Sequence, residues 1–340
     1  MAKEMLQEFN GQMLTLGRQL QGLTKSQLAE EIGMSSTLIS RVEAGDRRFT
    51  EELARAAASA LDQPLDFFKW KGEVRASSNV FHRSLRSLGV RKTEQADAVI
   101  NFFSLQIQRK IAAGLTLEKK RKLLRIDFDG KRDVPEAARQ LRAAWQIPPG
   151  PIPNLMNIIE SAGIVVFESD KLSAKTDALS LWPLGYEESS LPVVVRAIGR
   201  PGDRERFSLA HELGHLCLHH VPADFEPEAN EFAAEFLMPR DSIYPSLKNL
   251  NLQTAAALKS KWKVSMQAIL FRANSLGAIP ESRYRRLMIE MGKKGYRKVE
   301  PVLIPSERVT LSAALFGATP KPIQQPEVNP QHTLRVYSGE

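Results

Sequence analysis

The chain has 340 residues, 43% of them hydrophobic and 25% charged, the composition of an ordinary globular protein with two or three domains. Forty-seven basic residues against 39 acidic leave a formal charge of +8, which leans toward an acidic partner such as nucleic acid. A lone cysteine, Cys217, excludes an internal disulfide. No run approaches the ~20 apolar residues of a membrane span, and MAKEMLQEFN lacks a signal-peptide core, so the expectation is a cytoplasmic protein.

Residues 1–70 read as short helices joined by tight turns. A first amphipathic helix ends near Leu20. In LTKSQLAEEIGMSSTLISRVEAG, Thr24 with Gln27 three residues on forms a capping box that starts a second helix. Gly33 sits where that helix stops. Ser35 or Ser36 caps a third helix running to about Ala44, and Thr50 opens a fourth ending near Leu61. Leu28, Ile32, Ile39 and Val42 form the apolar seam between the second and third helices. Two short helices around such a turn make a helix-turn-helix.

Residues 71–146 read as a helical, basic connecting region, in which AVINFFSLQIQRKIAAGL is amphipathic and suits a core or dimer contact. The proline-dense IPPGPIP, 147–153, marks a boundary. After it come a helix ended by Gly163, short strands in IVVF and LPVVV, and helical sequence over 204–240. A helix pair then turns near Val264. The expected fold is mainly α with a small β-sheet, of α+β class. Its domains are 1–70, the connector 71–146, a second domain 147–300, and a poorly ordered tail over 301–340, rich in Pro, Ser and Thr.

The chemistry concentrates in RERFSLAHELGHLCLHH, which holds four of the six histidines. On a helix, residues i and i+4 share a face, so His211 and His215 can aim both imidazoles at one ion. Glu212 sits beside them as a general base, the H-E-x-x-H arrangement. His219 lies about 12 Å along the helix axis from His211, too far to share that ion. It and His220 read as helix-end residues. A longer H-E-x-x-H-x-x-G-x-x-H pattern fails at Leu218 and Val221.

The third ligand falls to FEPEANEFAAEFLMP. Glu226 is favoured and Glu228 is its rival, because Glu226 shares a face with Asn230, which can orient a ligand. Glu231 and Glu235 read as solvated. Gly214, costly inside a helix, implies a close approach to the backbone. Cys217 and the four tryptophans read as core. ESRYRRLMIEMGKKGYRK, 281–298, reads as a basic solvated helix end whose Arg285, Arg286, Lys293 and Lys294 suit phosphates, and Tyr284 is one candidate to stabilise an oxyanion.

RFSLAHELGHLCLH followed by EPEANEFAAEFLMP resembles the ImmA/IrrE family of zinc metallopeptidases over roughly residues 140–280. The resemblance implies a gluzincin-like peptidase domain binding Zn2+ through His211 and His215, with Glu212 as base and the family's acidic ligand mapping best onto Glu226. Family members often act on a repressor. Residues 10–68 resemble the XRE/Cro-type helix-turn-helix, with a recognition helix over about 36–43. Ser36 and Thr37 would then face base edges, with Ser40 and Arg41 close by. Arg18, Lys25 and Arg47 would meet phosphates. Lys25 stands where many members carry Gln.

Together these imply a DNA-binding transcriptional regulator, expected to be a homodimer on double-stranded operator DNA. It would carry a zinc-dependent peptidase-like domain that cleaves a repressor or another partner protein. One alternative keeps the DNA binding and makes the metal site sensory or structural; another makes the helix-turn-helix a dock for a protein substrate.

Overall fold

The computed structural model describes residues 8–72, 74, 89–127, 133–182, 191–218 and 225–317. Its first four helices are α1 (Gly11–Leu20), α2 (Lys25–Glu31), α3 (Ser36–Glu43) and α4 (Glu51–Ala60), followed by a 3-10 turn, Leu65–Lys69. The sequence dictates their starts. Thr24 accepts from the Gln27 amide while its own amide donates to the Gln27 side chain, so the capping box is complete. Asn10, Ser35 and Thr50 cap the other three helices. Each such cap is worth about 1 kcal/mol. Leu28, Ile39 and Val42 are buried in the seam, and Ile32 packs at its edge.

The helix α5 (Val90–Ala112) lies against α1 on one side and the sheet on the other. Of the two uses foreseen for this amphipathic helix, the structure uses it as core: Val99, Ile100, Leu105 and Ile107 are fully covered. Then follow α6 (Val134–Ala144), α7 (Leu155–Ser161), and the strands β1 (Val165–Ser169), β2 (Ala178–Leu181) and β3 (Val193–Ala197). β3 is central, parallel to β1 and antiparallel to β2, with Ser180 opposite Val194. The four-residue β2 had no counterpart in the sequence reading.

The sheet is buried on both faces. Val165, Phe167, Leu179, Leu181, Val193 and Val195 join α1–α5 in one core. Val166, Ala178 and Val194 join the opposite core. That second core is built by α8 (Gly202–Leu218), α9 (Glu226–Leu237), α10 (Arg240–Leu247), α11 (Leu252–Trp262), α12 (Met266–Ser275) and α13 (Glu281–Lys293). The α11–α12 pair turns at Lys263, next to the buried Val264, as expected. Within the expected connecting region, α5 joins the first helices and the sheet in one core.

The expectation of a loose tail from 301 is corrected for residues 301–317. Glu307 accepts from Arg206 and from the Met156 amide, and Arg196 donates to its carbonyl. Glu160 binds the amides of Thr310 and Leu311, ahead of a last short helix, α14 (Leu311–Phe316). A cβ on Gly202 would lie 2.3 Å from the Pro305 carbonyl oxygen, so only glycine lets this strap cross the first turn of α8. Buried acids and bases hold it, together with Val309 and the Phe316 ring on Phe167, partners that its Pro-, Ser- and Thr-rich composition does not reveal. Residues 318–340 lie outside the described residues. No helix among the described residues is long and apolar enough to cross a membrane.

Candidate functional site

The α8 helix carries His211, Glu212 and His215, and α9 begins at Glu226. The two helices pack so closely that a Cβ on Gly214 would stand 3.1 Å from the Phe232 ring. Helix contact is therefore the close approach that Gly214 permits. It brings Glu226 over the histidine pair. Nε2 of His211 and of His215 are 3.0 Å apart, and each lies 3.4 to 3.5 Å from a Glu226 carboxylate oxygen.

These three donors form a triangle that fits one ion. Tetrahedral zinc with bonds of about 2.0–2.1 Å holds its ligands about 3.3 Å apart. Nδ1 of His211 lies 3.1 Å from Asn230 Oδ1; with the proton on Nδ1 and donated there, Nε2 keeps its lone pair for an ion. Two imidazole nitrogens and a carboxylate set this close can share one cation. Glu228 is not in the triangle. His219 and His220 lie outside the described residues.

Burial opposes ionisation of Glu226, but hydrogen bonds to His211 and His215 hold its carboxyl well below the usual carboxylate range. Burial likewise opposes charge on His211; the bond to Glu226 and the charges of Glu212 and Glu226 outweigh it and raise its pKa. Burial pushes the Cys217 thiol up, so it stays protonated and inert, a core residue as expected.

Glu212 is 3% exposed and stands outside the donor triangle. Its Oε2 accepts a 2.6 Å hydrogen bond from Ser180 Oγ on β2. Sequence reasoning missed Ser180. The available signal was a polar residue between two leucines of a strand, on the face opposite to theirs. Trp182, at the end of β2, donates to the Leu216 carbonyl and fixes the strand along α8. Glu235, expected in solvent, is buried and bound by Arg272, Arg139 and the Arg240 amide. It ties α6, α9, α10 and α12 together. Trp145 and Trp262 are core, while Trp70 is half-buried between Phe102 and the Arg109 guanidinium. Tyr284 packs against the apolar core.

On the opposite half, Ser36, Thr37 and Arg41 of α3 are exposed, as is Arg47 just beyond it, and Ser40 is half-buried. Lys25 Nζ reaches Ser40 Oγ at 3.1 Å and Glu43 at 3.6 Å, so two expected DNA contacts also touch each other. Arg18 is a correction. Its guanidinium is buried, paired to both Glu43 oxygens at 2.6 and 2.9 Å, and bonded to the Leu23 carbonyl. It braces α1 against α3, and these bonds occupy the guanidinium.

Comparison with known families agrees with both halves. Residues 16–68 match the helix-turn-helix family, and residues 159–274 match the IrrE N-terminal-like domain, a peptidase family. No curated protein matches the chain. The chain is therefore a fusion of an XRE-type helix-turn-helix with an ImmA/IrrE-type peptidase-like domain.

Proposed function

We propose that this DNA-binding regulator binds zinc through His211, His215 and Glu226 and hydrolyses a peptide bond in a repressor or partner protein. The observation that carries the reading is the donor triangle of two imidazoles and one carboxylate, three protein ligands as in catalytic rather than structural zinc sites. When bound, the metal supplies Lewis acidity at this point.

The chain's own residues do the rest. Asn230 fixes the ring of His211. Ser180 holds one oxygen of Glu212, leaving Oε1 to take the proton of an attacking water. The α3 face, through Ser36, Thr37, Ser40 and Arg41, reads an operator, with Lys25 and Arg47 as phosphate contacts, and a dimer would span two half-sites.

The test compares zinc-loaded wild type with Glu212→Gln, each incubated with the proteins of its own cell, by mass spectrometry of newly formed N-termini and of the chain's own mass. Cleavage by wild type alone supports the reading. Equal behaviour of the two, with zinc present in both, would replace it with a sensory or structural metal site.

A further inference from the structure

DNA affinity comes largely from neutralised phosphates, yet the helix-turn-helix region supplies little net charge for it. Residues 8–72 hold eight basic and nine acidic side chains. Half of those bases are engaged: Arg18 with Glu43, Lys25 with Ser40 and Glu43, Arg55 with Glu51, and Lys69 with Glu8 and Asp66. The chain's positive excess lies elsewhere.

Two segments concentrate it. In 109–125 the cations are largely spent on the protein itself. Arg109 covers the Trp70 ring, Lys110 lies over Phe316, and Arg121 binds the Trp145 carbonyl and Ser161. In 281–298, seven bases face only two acids, Glu281 and Glu290. Arg285 pairs with Glu281 and Arg283 reaches the Leu250 carbonyl. Among the described residues, no partner is seen for Arg286, Lys293, Lys294, Arg297 or Lys298, and all five are exposed.

Their layout is ordered by α13. Leu287 and Met291 bury one face in the core, so Arg286 and Lys293 project from the other. Seven residues apart, they are about 10 Å apart along the helix axis. Lys294, Arg297 and Lys298 extend the row beyond the helix end.

We infer that the outer face of 281–298 is a second, sequence-independent contact for the phosphate backbone of double-stranded DNA. Tethered to the reading head in the same chain, even weak contacts there add to affinity because they form intramolecularly. This rests on the DNA-binding reading of the helix-turn-helix.

The experiment measures the full-length chain on a mixed-sequence DNA duplex across a salt series. Arg286→Gln, Lys293→Gln, Lys294→Gln and Lys298→Gln are combined in one variant. A control of equal charge combines Lys120→Gln, Lys122→Gln, Lys175→Gln and Lys261→Gln, all exposed positions. The slope of log affinity against log salt is expected to shrink by about 0.9 per lost contact, thus by about 3 or more for the α13 variant, and to stay near wild type in the control. Equal slopes for wild type and the α13 variant, or equal loss in the control, would overturn the inference alone. No duplex binding by wild type would overturn the DNA-binding reading as well.

Discussion

Ser180 Oγ donates to Glu212 Oε2 across 2.6 Å, with both side chains closed off from solvent. A buried carboxylate oxygen that loses its donor costs about 1–3 kcal/mol or more. Ser180→Ala should therefore lower unfolding free energy by that amount. Ser180→Thr keeps the hydroxyl and should recover most of it. Glu212→Gln keeps an acceptor for Ser180 and should cost less than Ser180→Ala. Chemical denaturation of the three variants checks the order; a Ser180→Ala protein as stable as wild type would remove Ser180 from the site.

The proposed zinc site makes a compositional prediction. Elemental mass spectrometry of purified protein should find about one zinc per chain, absent in His215→Ala. Bound metal should also raise the melting temperature, since free ion at about a thousand times Kd stabilises by about 4 kcal/mol. Chelation should reverse the rise in wild type and do nothing in His215→Ala.

Arg18 and Arg47 should part company. Arg18→Ala takes from buried Glu43 both of its short bonds and leaves it only the more distant Lys25, which should approach the about 3–5 kcal/mol cost of a broken buried pair. Arg47→Ala should leave stability within about 0.5 kcal/mol and weaken duplex binding. Thermal melts beside binding isotherms separate the two; loss of binding without loss of stability in Arg18→Ala would restore it as a DNA contact.

Gly202→Ala should displace the strap. The added carbon meets two carbonyl oxygens, of Pro305 and Ile304, at 2.3 and 2.5 Å. Overpacking of this kind costs about 1–3 kcal/mol. Hydrogen exchange should quicken at the amides of Thr310 and Leu311, which bind Glu160. Unchanged exchange there would mean that the strap does not depend on Gly202.

Local signals were the most legible in the sequence. Thr24 with Gln27 reads as a cap because both partners lie within three residues. The pairing of His211 with His215, and the shared face of Glu226 and Asn230, follow from helical spacing alone. Long-range partners were not legible. Arg18 and Glu235 look like surface charges until Glu43 and Arg272 arrive from elsewhere in the chain. β2 is four residues long, too short for a periodic pattern, so Ser180 went unread. The strap over 301–317 is pinned by Arg196, Arg206 and Glu160, whose distance in sequence hides them.

The two-sided sheet also limits how this polypeptide can be taken apart or recombined. Severed at the prolines of 147–153, the peptidase half would display Val165, Phe167, Leu179, Leu181, Val193 and Val195 as one greasy sheet surface. Soluble monomers rarely tolerate such a surface. The peptidase-like half is thus no portable cassette: wherever it is transplanted, α5, or some substitute lid of matching shape, has to travel with it.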